Sequence, residues 1–152
     1  MSTLHFHRST TATPEQFIAG LTDFGPGRSE LFPNSADSDL VVHHKSAGAA
    51  DVTEGSGGVW ERLHYDWSDP NRVTLTTTDS NTWGGASGYV YTLTPKLDGT
   101  TDVDVVIVRE GINLKGRLLA VVLGTIGKGV LRKAFVHSVN AIEARADAEV
   151  QR

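Results

Sequence analysis

The most regular pattern in the chain lies in its last quarter. From about Leu114 to Ala148 there is no proline, and apolar residues return at helical spacing. At about 3.6 residues per turn, Leu119, Val122, Leu123, Ile126, Val130, Ala134 and Ala141 fall on one arc. Arg117, Thr125, Lys128, Arg132 and Glu143 fall on the opposite arc. The spacing predicts one long amphipathic helix with its apolar arc buried, Ile126 near the middle of that arc. Gly124, Gly127 and Gly129 weaken the helix locally and invite a kink or short break.

Before this helix, twofold alternation dominates. Thr3 to Thr10 places Leu4 and Phe6 on one side and His5 and His7 on the other, which predicts a first strand. Thr13-Pro14-Glu15-Gln16 is a helix start, with Thr13 as N-cap and Pro14 at the first helical position. Phe17, Ile18 and Leu21 give that helix a face to bury, and Gly25-Pro26-Gly27 ends it. A second short helix runs from about Arg28 to Phe32 and stops at Pro33-Asn34.

Six further strands are predicted: Asp39 to Lys45, Ala50 to Glu54, Val59 to Trp67, Arg72 to Thr78, Ser87 to Pro95 and Asp102 to Gly111. Gly55 to Gly58, Ser68-Asp69-Pro70-Asn71 and Asp98-Gly99 supply turns between them. The expected fold class is α+β. An antiparallel sheet of about seven strands bends round one long helix and buries one face against it. A single helix cannot fill that concavity, so a cavity between sheet and helix is expected.

The alternation also says what lines the cavity. Val59, Leu63, Tyr65 and Trp67 form one inward row, Val73 and Leu75 a second, Tyr89, Tyr91 and Leu93 a third, and Val103, Val105 and Ile107 a fourth. Most of these are simple core positions. The three tyrosines need hydrogen-bond partners if buried, and a ligand or a backbone carbonyl would serve equally. Glu61, Thr77, Ser87 and Arg109 fall on the same rows at one level of the sheet, forming a polar band across one end. Arg109 and Glu61 are read either as anchors for the polar head of an apolar ligand or as a structural ion pair at the rim. A bulge in any of these strands would break the band. His137 shares the apolar arc of the last helix, as a satisfied core histidine or as a proton-transfer group.

The chain has 152 residues, 39% hydrophobic and 21% charged, which suits one soluble globular domain. A net charge of -4 gives no general attraction to nucleic acid or anionic lipid. There are no cysteines, which excludes disulfides and thiol catalysis and suits a cytoplasmic location. MSTLHFHRST has no apolar leader segment, and LLAVVLG is too short for stable membrane insertion. The His5/His7 and His43-His44 pairs have no carboxylate or cysteine at a recognisable ligand spacing, so no metal is expected, and no cofactor motif is visible. Asp102 and Asp104 read as solvated charge. Trp83-Gly84-Gly85 reads as a loop at the cavity mouth, with Trp83 as a lid or packed on the long helix.

Three stretches carry a family resemblance. They are ATPEQFIAGLTDFGPGRSELFPN, then YDWSDPNRVTLTTTDSN with YVYTLTPKLDGTTDVDV, and LKGRLLAVVLGTIGKGVLRKAFVHSVNAIEARA. Together they span nearly the whole chain and resemble the helix-grip fold of the SRPBCC superfamily. That superfamily includes START lipid-transfer domains, the birch-pollen allergen family and polyketide cyclase/dehydrase-like proteins, and the last stretch is similar to the closing helix of many bacterial members. The resemblance implies one helix-grip domain over 1–152 and a cavity for a small, largely apolar ligand such as a lipid, isoprenoid or polyketide-like compound. The residues expected around that ligand are Glu61, Leu63, Tyr65, Thr77, Ser87, Tyr89, Tyr91, Ile107, Arg109, Leu119, Val122, Leu123, Ile126, Val130 and His137. A cyclase or dehydratase using the same cavity is the alternative, and a protein-interaction module the third reading. A monomer or homodimer is expected.

Overall fold

The computed structural model describes residues 1–150. Seven strands, β1 (Ser2–Thr10), β2 (Val41–Lys45), β3 (Ala49–Ser56), β4 (Val59–Asp69), β5 (Arg72–Ser80), β6 (Gly88–Pro95) and β7 (Thr101–Arg109), form one open antiparallel sheet. Their order is β1-β7-β6-β5-β4-β3-β2, so from β2 onward each strand pairs with its successor, and β1 closes on β7. Four helices complete the fold: α1 (Pro14–Leu21), α2 (Arg28–Leu31), α3 (Leu114–Gly124) and α4 (Lys128–Val150).

Local sequence accounts for the entry into α1. The Thr13 side chain accepts from Gln16 N at 3.1 Å, and the Gln16 side chain accepts from Thr13 N at 2.9 Å, closing a capping box. Gly27 enters α2 with φ 87, a conformation that favours glycine. The Asp37 carboxylate then accepts from Gly27 N and Ser29 N and fixes that turn.

One face of the sheet is covered by α1 and α4. Phe6 of β1 stacks on Phe135 of α4, and Phe17 of α1 meets Tyr91 of β6. The two helices approach so closely that a Cβ on Gly20 would stand 2.8 Å from Ile142 Cγ1. The inward rows are as the alternation requires: Leu63, Tyr65, Val73, Leu75, Tyr91, Leu93, Val103, Val105 and Ile107 are all buried. Strand bounds differ slightly from those expected. β3 runs on to Ser56, and Asp37–Asp39 forms a turn of 3-10 helix where the start of a strand was expected. A register shift between Val42 and His44 interrupts edge strand β2, all of whose residues are exposed.

The carboxy-terminal helix is present and is interrupted at its glycines by the short break expected there. α3 stops at Gly124, where Thr125 leaves helical geometry and its hydroxyl donates to Val121 O at 2.9 Å. Helical counting carried across this break loses phase. The buried face of α4 is Phe135, Ser138, Val139, Ile142 and Ala146, spaced as one helix face and displaced by one residue from the predicted arc. Val130 is therefore exposed; Ile126 lies in the break, 86% exposed, and Val122 is exposed because α3 turns Gly116 and Ala120 inward.

Candidate functional site

A cavity of about 380 Å³ lies between the inner face of the sheet and the helices. Leu63, Leu75, Tyr89, Tyr91, Val105 and Ile107 form its sheet wall. Phe17, Leu21, Leu123, Leu131, Phe135 and Val139 form its helical wall. Half-exposed Leu123, Leu131, Ser56 and Val59, with exposed Pro33 and Asn34, mark its mouth.

Two buried arginines enter this apolar space, each with a glutamate. Register explains why they come in pairs. Glu54 of β3 and Glu61 of β4 stand directly opposite one another. Like charges facing across strands repel, and each carboxylate is met by a guanidinium.

The first pair is fully satisfied. Arg28 Nε donates to Glu54 Oε1 at 2.6 Å, Nη1 to Asp23 O at 2.7 Å and Nη2 to the Tyr65 hydroxyl at 3.0 Å. Glu54 also accepts from Ser35 Oγ at 2.8 Å and from the Tyr65 hydroxyl. The guanidinium lies between the Phe24 and Phe32 rings, 4.7 and 4.6 Å from their centroids. Burial and then the Glu54 carboxylate hold the Tyr65 phenol well above its ordinary pKa. Tyr65 is therefore a neutral donor with its partner already in place.

The second pair is satisfied on one side only. Arg109 Nη1 donates to both Glu61 oxygens, at 3.2 and 3.0 Å, and Thr77 Oγ1 donates to Glu61 Oε2 at 2.9 Å. Trp83 and Tyr89 rings flank the guanidinium, at 5.2 and 4.6 Å. Arg109 Nε and Nη2 are buried and have no hydrogen-bond partner among the described residues. Burial opposes the Arg109 charge, but Tyr89 and Glu61 outweigh it and its pKa is raised. Burial pushes the Tyr89 phenol up to about 12.

The structure thus brings Glu61, Leu63, Tyr65, Tyr89, Tyr91, Ile107, Arg109 and Leu123 to the cavity wall. Thr77 stands behind Glu61. A register shift in the β4–β5 pairing after Arg62 spares the polar level, because Thr77 and Ser80 both remain buried on either side of it. Ser87 is buried but turned to the backbone of Glu110, accepting from its N at 2.8 Å and donating to its O at 3.2 Å. Leu119, Val122, Ile126, Val130 and His137 do not line the cavity. His137 is exposed, with Nε2 against Glu30 O at 2.7 Å, which ties α4 to α2 and takes it away from any chemistry inside. Trp83 is buried, with the Arg109 guanidinium over its ring, and lines the cavity.

Arg28, Glu54 and Ser35 went unread in the sequence. Glu54 carried a signal, since Ala50, Val52 and Glu54 alternate on one inward side. Arg28 sits at the start of a four-residue helix with no periodicity to betray it. Outside the site, Asp104 stands against both His5 and His7, at 3.1 and 2.9 Å, a cross-strand contact that spacing along one strand does not reveal. No group of three or more His, Cys, Asp or Glu side chains among the described residues is placed to hold a metal.

No protein-family model and no curated protein sequence matches the chain. Solved structures do. A protein from Thermus thermophilus aligns over 97% of this chain and 98% of its own, with 16% identity and a TM-score of 0.69. A START superfamily protein from Mycobacterium smegmatis aligns over 97% and 99%, with 12% identity and a TM-score of 0.68. The Zhui aromatase/cyclase from a Streptomyces species aligns over 97% and 94%, with 14% identity and a TM-score of 0.67. Sheet order, helix placement and these alignments agree, and the chain has the START-like helix-grip fold seen in START-superfamily and aromatase/cyclase proteins.

Proposed function

We propose that residues 1–152 act as one ligand-binding domain. Its cavity takes a small, largely apolar molecule bearing an acceptor oxygen. The observation that carries this reading is Arg109, whose Nε and Nη2 are buried beside an apolar hollow without a partner among the described residues. A buried donor left unpaired costs free energy, and an acceptor oxygen on a bound molecule would relieve that cost. The same reasoning speaks for a neutral ligand. The four ionisable Arg and Glu side chains at the wall pair off as Arg28 with Glu54 and Arg109 with Glu61. A carboxylate added there would be desolvated beside an already neutralised arginine. A ketone, ester or amide oxygen accepts the two N–H groups without adding charge.

Proton-transfer chemistry on the bound molecule is the second reading. The likeness to an aromatase/cyclase and the Glu61 carboxylate at the wall favour it. With His137 outside, Glu61 is the group such a reaction would use.

The test is displacement of a solvatochromic dye by a long-chain methyl ketone and by the fatty acid of equal length. The ketone should compete at least tenfold better. Arg109→Leu combined with Glu61→Gln, which leaves no orphan carboxylate, should abolish that preference while the protein stays folded. Equal competition by ketone and acid, or an unchanged preference in the folded double variant, refutes the reading.

A further inference from the structure

Among the described residues, the segment around the helix break gathers a run of exposed apolar side chains. Leu114, Leu118, Val121 and Val122 of α3 are 74%, 59%, 62% and 45% exposed, and Ile112, Ile126 and Val130 extend the cluster at both ends. At about 100° per residue, the four α3 residues share one arc. Lys115 and Arg117 fall just beyond its two edges. Gly116 and Ala120, on the far side, are buried. The packing is fixed by contact: a Cβ on Gly116 would stand 2.5 Å from Thr82 O, and Ser2 Oγ donates to Ala120 O. So α3 cannot roll its apolar arc inward.

Charge distribution says what covers this arc. From Gly111 to Ile142 there are five Lys or Arg (Lys115, Arg117, Lys128, Arg132, Lys133) and no Asp or Glu. The rest of the chain holds the other nine Lys and Arg against all 18 Asp and Glu. Glu110, the nearest acid before the segment, is turned to Ala86 N at 2.9 Å. An acidic protein has gathered an acid-free basic segment around an exposed apolar stripe. A partner that pairs with both features presents negative charge over an apolar layer.

We propose that α3 and the turn into α4 dock on an anionic lipid surface, with Leu114, Leu118, Val121, Val122 and Ile126 at the acyl boundary and Lys115 and Arg117, at the edges of the arc, at headgroup level. No helix is long and apolar enough to cross a membrane, so the contact is peripheral. The proposal does not rest on any ligand in the cavity.

Flotation with vesicles of pure phosphatidylcholine, and of equal parts phosphatidylcholine and phosphatidylglycerol, tests it. Binding is expected to the mixed vesicles only, and to weaken with added salt. Lys115→Gln and Arg117→Gln should each weaken it about fivefold. Leu118→Glu with Val121→Glu should abolish it without loss of thermal stability. Absence of binding to mixed vesicles overturns the proposal, as does equal binding to both lipids. A homodimer in sedimentation that Val121→Glu dissociates would also overturn it, assigning the stripe to a second copy.

Discussion

Replacing Glu54 by alanine tests the buried polar cluster directly. Arg28 and Glu54 side chains are 1% and 9% exposed, so solvent does little to screen them. Without the carboxylate, Arg28 keeps Asp23 O and the Tyr65 hydroxyl but loses its 2.6 Å partner, and Ser35 and Tyr65 lose their acceptor. Breaking a buried pair by removing one member costs about 3–5 kcal/mol. For a chain of this size each kcal/mol moves Tm by about 2–4 °C, so a fall of roughly 6–20 °C is expected. Urea unfolding with an unchanged m-value would confirm that stability, not compactness, has changed. Glu54→Gln, which keeps an acceptor, should lose less. Arg28→Met with Glu54→Leu should recover much of the loss, because neither charge is then stranded. A Glu54→Ala protein within about 1 kcal/mol of wild type, the range of exposed pairs, would refute the reasoning. So would a double variant no more stable than the single one.

Further outcomes separate the two helical faces and the helix contacts. Ile142→Ala should cost about 2–5 kcal/mol by urea unfolding, since Ile142 is 1% exposed. Ile126→Asp should fall within about 0.5 kcal/mol of wild type; a larger loss would restore Ile126 to the core. Gly20→Ala should destabilise by about 1–3 kcal/mol, because the new Cβ runs into Ile142. Asp23 pairs with Arg145 at 2.6 Å, with side chains 37% and 43% exposed, so Asp23→Asn should cost only about 0.2–1 kcal/mol at neutral pH. Burial works against the Asp23 carboxylate, but Gly25 N and Arg145 outweigh it and lower its pKa from 3.8. A depressed carboxyl contributes above its unfolded pKa and loses that contribution as pH falls through the folded one. The gap between Asp23→Asn and wild type should therefore close in strong acid, which thermal melts against pH would show.

The sheet was legible because each strand alternates, and alternation needs no knowledge of neighbours. Leu63, Tyr65, Tyr91 and Ile107 could be placed inward from their own strands alone. Glu61 and Arg109 followed for the same reason, even across a register shift, because both flanking polar residues stay inside. The closing helix was legible in extent but not in phase. Thr125 and the glycines beside it end one helix and let another begin, so positions beyond the break were counted from the wrong origin. Val130 and His137 were misplaced on that account. Arg28 was illegible because its partners, Asp23, Glu54 and Tyr65, are assembled by tertiary contact and share no local period.

Trp83 gives the molecule an optical consequence. The chain has three tryptophans. Trp60 is exposed, while Trp83 is buried at the cavity wall with the Arg109 guanidinium over its ring. An indole held there reports on the charge and polarity of the hollow itself. Entry of a molecule that engages Arg109 would alter its emission wavelength and quenching, and a chain with Trp60 and Trp67 changed to phenylalanine would carry that signal alone, as a label-free gauge of occupancy.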